Sequence, residues 1–219
     1  MKSIEIPNSV TSIGDWAFES CSSLESIEIP DSITSIGESV FSHCSSLKSI
    51  EIPNSVTFIG EEAFRHCSSL KSIEIPNSVT SVGRYAFSCC TSLLFIKISD
   101  SITSIGDGAF NGCLSLQFVE IPNSVVSIRE CAFRGCTSLQ TIEIPSSVTT
   151  IGARAFEGCS SLSTLIIHEK KPEKTFELNS NACLENINNI TLNVPIGTGY
   201  AYRHHHYFAK FKEIVANVR

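Results

Sequence analysis

The amino-acid sequence predicts a repeat solenoid. Short strands and short helices should wind into a right-handed superhelix of about eight coils, closed by a C-terminal cap. Three residue columns predict it. Isoleucine, or valine or leucine in its place, falls at Ile4, Ile27, Ile50, Ile73, Ile96, Val119, Ile142 and Leu165, and every step is 23 residues. Phenylalanine keeps that step from Phe18 through Phe41, Phe64, Phe87, Phe110 and Phe133 to Phe156, and leucine keeps it from Leu24 to Leu162. A unit this short cannot bury its apolar face alone. It must stack on its own copies to make a continuous core.

Each element of the unit follows from its residues. In the coil around Ile50, the stretch LKSIEI has apolar residues at its first, fourth and sixth positions, which suits a strand with one buried face. Pro53 ends that strand, because proline has no N–H for a ladder. The β-branched run SVTFI suits a second, shorter extended segment, and Gly60 breaks it. EEAFRHC is rich in helix formers and reads as one or two helical turns with Ala63 and Phe64 inward. Residues 1–164 then form seven repeats, and residues 165–219 a degenerate last repeat and a cap. Repeat eight loses its pattern at LIIHEKKPEKTFELNS, and INNITLNVP begins a non-repeating tail. Tyr200, Tyr202, Tyr207, Phe208, Phe211, Ile214 and Val215 make that tail too apolar to stay free.

The pattern LxxIxIPxxVxxIGxxAFxxC, carried by nearly the whole chain, resembles the BspA-like leucine-rich repeats of bacterial and protozoan surface proteins. The resemblance implies a leucine-rich-repeat fold, a cell-surface or secreted location, and adhesion to host extracellular proteins. The fold part is specific. The functional part is not, since one scaffold serves many partners.

Composition sets further bounds. A formal charge of −6 argues against nucleic acid or an anionic membrane as partner. No run approaches the length of an apolar membrane span. No signal peptide is present, but MKSIEI enters a repeat at its strand, so the chain reads as a fragment whose secretion signal would lie upstream. An array entered in mid-repeat leaves its first core cross-section open, and self-association through that end is expected.

Seven of the ten cysteines, from Cys21 to Cys159, keep the repeat step. A disulfide framework, a metal site and a column of buried free thiols all compete. Geometry favours the thiols. Parallel side chains about 4.8 Å apart exceed the Cβ spacing of a disulfide, and a straight column does not converge on a metal. Cys89, Cys131 and Cys183 lie off the column, the first two at variable, exposed positions. Exposed thiols lean towards a reducing compartment, against the surface location that the resemblance implies.

The serines from Ser9 to Ser147 form a column of turn and ladder hydrogen bonds rather than a nucleophile beside a base. His43 and His66 align in adjacent coils without a third ligand, and His204, His205 and His206 suit a solvated loop. GTG at Gly197–Gly199 reads as a turn. There is no acid/base pair, cofactor motif or phosphate loop, so no catalytic, cofactor or metal residue is assigned and no enzyme is expected.

A partner is expected on the outward face of the long strands. Glu5, Glu28, Glu51, Glu74, Glu120 and Glu143 form an acidic stripe there, interrupted by Lys97 and relieved by Lys48 and Lys71. In the column just before the isoleucine, Phe95 and Phe118 replace the serines of other coils, with Leu94 alongside. Leu94, Phe95, Lys97, Phe118 and Glu120 are therefore the candidate contact patch for a protein ligand. Three functional readings stay open: an extracellular adhesion module, an intracellular interaction scaffold, and an enzyme inhibitor.

Overall fold

A computed structural model describes residues 2–172, 177–178, 184 and 187–219. Cys183, and much of the stretch where the eighth repeat degenerates, lie outside the described residues. The chain winds as a parallel β-solenoid of about nine turns. Long strands such as Ser72–Glu74, Phe95–Lys97 and Phe118–Glu120 pair in parallel, each residue opposite the one a repeat later: Ile73 faces Ile96, and Ile96 faces Val119. Two-residue strands such as Ser81–Val82, Ser104–Ile105 and Ser127–Ile128 build the second side.

The interior is a set of stacks. Neighbouring rings from Phe18 to Phe156 lie 5.3–5.7 Å apart and nearly parallel. Leu70, Leu93, Leu116 and Leu139 are fully buried beneath the long strands. In the first coil, Ile4, Val10, Ile13 and Phe18 are only partly buried.

The expected short helix does not form. EEAFRH is a run of turns, although Ala63 and Phe64 point inward as expected. Two left-handed residues, Glu62 (φ 54°) and His66 (φ 58°), interrupt any helix, and the same two corners recur in each coil from Trp16 and Ser20 to Arg154 and Gly158. The cause is stacking. The N–H groups of Glu62, Phe64 and His66 donate to carbonyls of Arg84, Ala86 and Ser88 in the next coil, at 2.8–2.9 Å. Alternate donors spent between coils cannot also close helical turns, so tertiary pairing overrides local propensity.

At the far end, the segment read as the start of a non-repeating tail instead continues the ladder. Thr191–Pro195 pairs in parallel with Thr164–Ile167, and Glu213–Val218 adds the last strand. Thr164 faces Thr191, a step of 191 − 164 = 27 residues, so the register survives four extra residues. The apolar tail residues do fold: Tyr202, Phe208, Phe211 and Ile214 are buried, while Tyr200 stays exposed. The Tyr202 hydroxyl donates to the Glu169 carbonyl at 2.6 Å and pins the helix Gly199–His204 to the last coil.

Candidate functional site

The candidate patch lies on the outward side of the long strands. Leu93, Ile96, Leu116 and Val119 take the inward positions at 0% exposure, which sends their neighbours out. Phe95 is 42% exposed, Phe118 45% and Leu94 45%. Phe95 and Phe118 are direct ladder partners, as are Lys97 and Glu120. Register therefore brings Phe95, Lys97, Phe118 and Glu120 onto one face over two coils, with the exposed Leu94 just ahead of the strand.

Charge on this face is more paired than the sequence implies. Lys97 lies against the Glu74 carboxylate, whose hydrogen bond raises the ammonium's pKa. Lys48 was expected to relieve Glu51, but its ammonium instead reaches Glu25 at 2.6 Å. Lys2 joins from the other side at 3.0 Å. Lys48 and Lys2 together hold the Glu25 carboxyl down at about 2. His168, standing where other coils carry proline, meets Glu143. Two open grooves run beside the acidic stripe. One, of about 500 Å³, is lined by Phe118, Glu120, Asn123, Glu143 and His168, and the other, of about 430 Å³, by Glu51, Asn54, Glu74, Asn77 and Lys97. Neither was anticipated from sequence, because each forms between coils.

Cys21, Cys44, Cys67, Cys89, Cys90, Cys113, Cys131 and Cys136 are free thiols. From Cys44 to Cys159, each column thiol donates to the phenylalanine carbonyl 26 residues earlier: Cys67 to Phe41 at 3.1 Å, Cys90 to Phe64 at 3.1 Å, Cys113 to Phe87 at 3.2 Å. The thiol thus adds a second donor to a buried carbonyl that already accepts a backbone N–H of its own coil: Cys44 to Phe41 at 3.1 Å, Cys67 to Phe64 at 3.2 Å and Cys90 to Phe87 at 3.3 Å. Burial pushes the Cys44 thiol up to about 12, and the same desolvation raises Cys67, Cys90, Cys113 and Cys136. Cys89 and Cys131, expected to be exposed, are half-buried. Coil stacking covers Cys89, whose Sγ would lie 3.2 Å from a Cβ on Gly112.

The serine column is structural. Ser32, Ser55 and Ser124 hydroxyls donate to Val10, Ile33 and Ile102 carbonyls at 2.6–2.7 Å. The His43 and His66 rings stack 4.4 Å apart, and burial, with His43 as its next cause, lowers the His66 pKa. His204 stacks on Tyr200, while the His205 ring lies against both Phe208 at 4.9 Å and His206 at 4.5 Å. Among the described residues, no group of three or more His, Cys, Asp or Glu is arranged to hold a metal ion. No described helix is long and apolar enough to cross a membrane.

Stacked Phe, Leu and Cys columns behind a ladder of parallel strands define a leucine-rich-repeat solenoid. The BspA type leucine rich repeat region matches in six copies over residues 1–117 and 103–205, so the chain belongs to that family. No curated protein matches the sequence. Among solved structures, a leucine-rich repeat protein from Bacteroides ovatus is 30% identical with a TM-score of 0.70, over 99% of this chain and 61% of that one. A leucine rich repeat protein from T. pallidum is 30% identical with a TM-score of 0.67, over 73% of this chain and 77% of that one. A leucine rich cell surface protein from Faecalibacterium prausnitzii is 29% identical with a TM-score of 0.59, over 84% of this chain and 64% of that one. The chain thus spans less than two thirds of the length of the first and third of these proteins.

Proposed function

We propose that the chain is a non-catalytic protein-binding module, the adhesion or ligand-binding part of a surface protein, and that Leu94, Phe95, Lys97, Phe118 and Glu120 form its contact patch. One observation carries the reading: two phenylalanines stand side by side, more than two-fifths exposed, on a strand face where other coils carry serine or threonine. Burying one such ring in an interface is worth about 1.5–3 kcal/mol, so the pair can dominate an affinity. The description of the Faecalibacterium protein as a cell surface protein supports the location. Free thiols such as Cys44, Cys67, Cys89, Cys90, Cys113 and Cys131 favour a second reading, an intracellular interaction scaffold or enzyme inhibitor kept in a reducing compartment.

The test uses a panel of host extracellular matrix proteins and biolayer interferometry. The unsubstituted chain should bind at least one of them, and Phe95→Ser/Phe118→Ser should weaken that binding by about tenfold or more while the circular dichroism spectrum stays unchanged. Binding that the double substitution leaves intact would place the contact elsewhere, and no binding to any panel member would move the weight to the intracellular reading.

A further inference from the structure

The acidic stripe is not continuous, and its interruption has a chemical meaning. Lys97 stands in the ladder between Glu74 and Glu120, with its ammonium on Glu74. It divides the stripe into the two grooves. In one, Glu51, the Asn54 and Asn77 amides, and Glu74 with the Lys97 ammonium already on it surround a floor that includes Ile75 and Pro76. In the other, Glu120, Asn123, and Glu143 with the His168 ring against it surround Ile121 and Pro145, with Phe118 on the rim. In each groove one carboxylate, Glu51 or Glu120, stands with amide oxygens over an aliphatic floor, which suits one kind of group: a cationic head with a methylene stem lying on the floor. Glu51 and Glu120 are 120 − 51 = 69 residues apart, which is three repeats. At about 4.8 Å per coil the grooves lie roughly 14 Å apart. Between them, Leu94, Phe95 and Phe118 offer an apolar step, and Lys97 repels a third cation.

We infer that the occupant is an extended basic segment of a partner protein, lying along the solenoid axis with a lysine or arginine in each groove and an apolar side chain between them on the phenylalanines. An extended chain advances about 3.3 Å per residue, so roughly 14 Å is spanned in about four residues. Alternate residues of an extended chain share one face. The matching pattern is therefore basic, any, apolar, any, basic, with all three anchors directed at the sheet. A formal charge of −6 on the chain steers such a segment to it. This inference rests on the protein-binding reading above and specifies the partner's chemistry.

Two fluorescein-labelled peptides test it by fluorescence anisotropy, one centred on Arg-Thr-Leu-Thr-Arg and the other on Glu-Thr-Leu-Thr-Glu. The arginine peptide should bind at least about tenfold tighter than the glutamate peptide, and should weaken as salt rises from about 0.05 to about 0.5 M. Glu51→Gln/Glu120→Gln, which removes one carboxylate from each groove, should weaken it by about tenfold. Equal binding of the two peptides, or of the arginine peptide to wild type and the glutamine variant, overturns the inference. Selection of a random phage-displayed peptide library on the chain separates this failure from the broader one. Enriched peptides that need Phe95 and Phe118 but lack basic residues would sink the basic segment and leave the binding reading standing. Enriched peptides indifferent to both rings would sink both.

Discussion

Inward and outward side chains of one strand follow different rules. Inside, Ile73, Ile96 and Val119 repeat nearly unchanged and all are buried. Outside, the residues on either side of them change from Ser72 to Phe95 and Phe118 in size, and from Glu74 to Lys97 and back to Glu120 in charge. An inward residue must fit a copy of itself in the coil before and in the coil after. A change there disturbs two interfaces of a close-packed stack. An outward residue meets water on one side and tolerates replacement. Regularity along the chain therefore marks what the fold demands, and the breaks in regularity mark where a partner can be recognised.

The largest expected effect tests the interior columns through pH. Five thiols, Cys44, Cys67, Cys90, Cys113 and Cys136, are raised by burial and so stay protonated in the folded chain at pH values where they ionise in the unfolded one. The folded state then holds more protons. Its stability is complete below the ordinary thiol value, about 8.5, and is lost as pH rises from there towards the folded value. Each thiol contributes about 1.4 kcal/mol per pH unit, and five together about 7 kcal/mol. Far-UV circular dichroism from pH 7 upward should show a sharp unfolding transition near pH 10. Strand signal that survives at pH 11 would mean the column is wetter than its burial indicates. Reaction with a thiol reagent at pH 7.5 should be fast only at the half-buried Cys21, Cys89 and Cys131 among the described cysteines.

A smaller effect compares two glycines of one column. A Cβ on Gly83 would lie 2.4 Å from the Glu61 backbone nitrogen and 2.5 Å from the Gly60 carbonyl carbon. Backbone on the neighbouring coil cannot swing aside, so Gly83→Ala should cost about 1–3 kcal/mol in thermal or urea unfolding. A Cβ on Gly106 would meet nothing nearer than the Val82 carbonyl oxygen at 3.2 Å. Gly106→Ala should cost well under half as much, and the next coil already carries Arg129 at that position. Equal costs would show that coil spacing is uniform and that the glycines serve the turn alone.

Much of this was legible in the sequence because a repeat converts spacing into position. The 23-residue step placed Leu93, Ile96 and Leu116 inside and Leu94, Phe95 and Phe118 outside, as the structure has them. What stayed hidden depends on bonds between coils. EEAFRHC carries good helix formers, and nothing within one coil says that the Glu62, Phe64 and His66 N–H groups are committed to the next. The thiol-to-carbonyl bonds had a signal, the fixed offset of 26 residues from phenylalanine to cysteine, but offset alone does not reveal a donor and an acceptor. The continuation of the ladder at Thr191 was masked by the 27-residue step that leads to it. The grooves belong to pairs of coils, so no single repeat unit displays them.

The smallest expected effect lies where inside and outside meet, at the second left-handed corner. Ser20, His43, His66 and Cys89 occupy it in the first four coils, and Gly112, Gly135 and Gly158 in the next three, all with φ between 58° and 74°. The backbone requirement is constant while the side chain varies. A left-handed conformation costs an L-residue about 1–2 kcal/mol that glycine avoids, against an unfolded-state entropy of about 0.5–1 kcal/mol that glycine loses on folding. Gly135→Ala should therefore lower stability by about 1 kcal/mol through strain alone, since the nearest atom to its new Cβ, the Gly112 Cα, is at a comfortable 3.7 Å. His66→Gly should raise stability by about 0.5 kcal/mol on the same balance. Its deviation from that value measures the His43–His66 ring stack. If His66→Gly instead destabilised by more than about 1 kcal/mol, the stacked imidazoles would be part of the fold, and this corner would join the restricted interior rather than the variable surface.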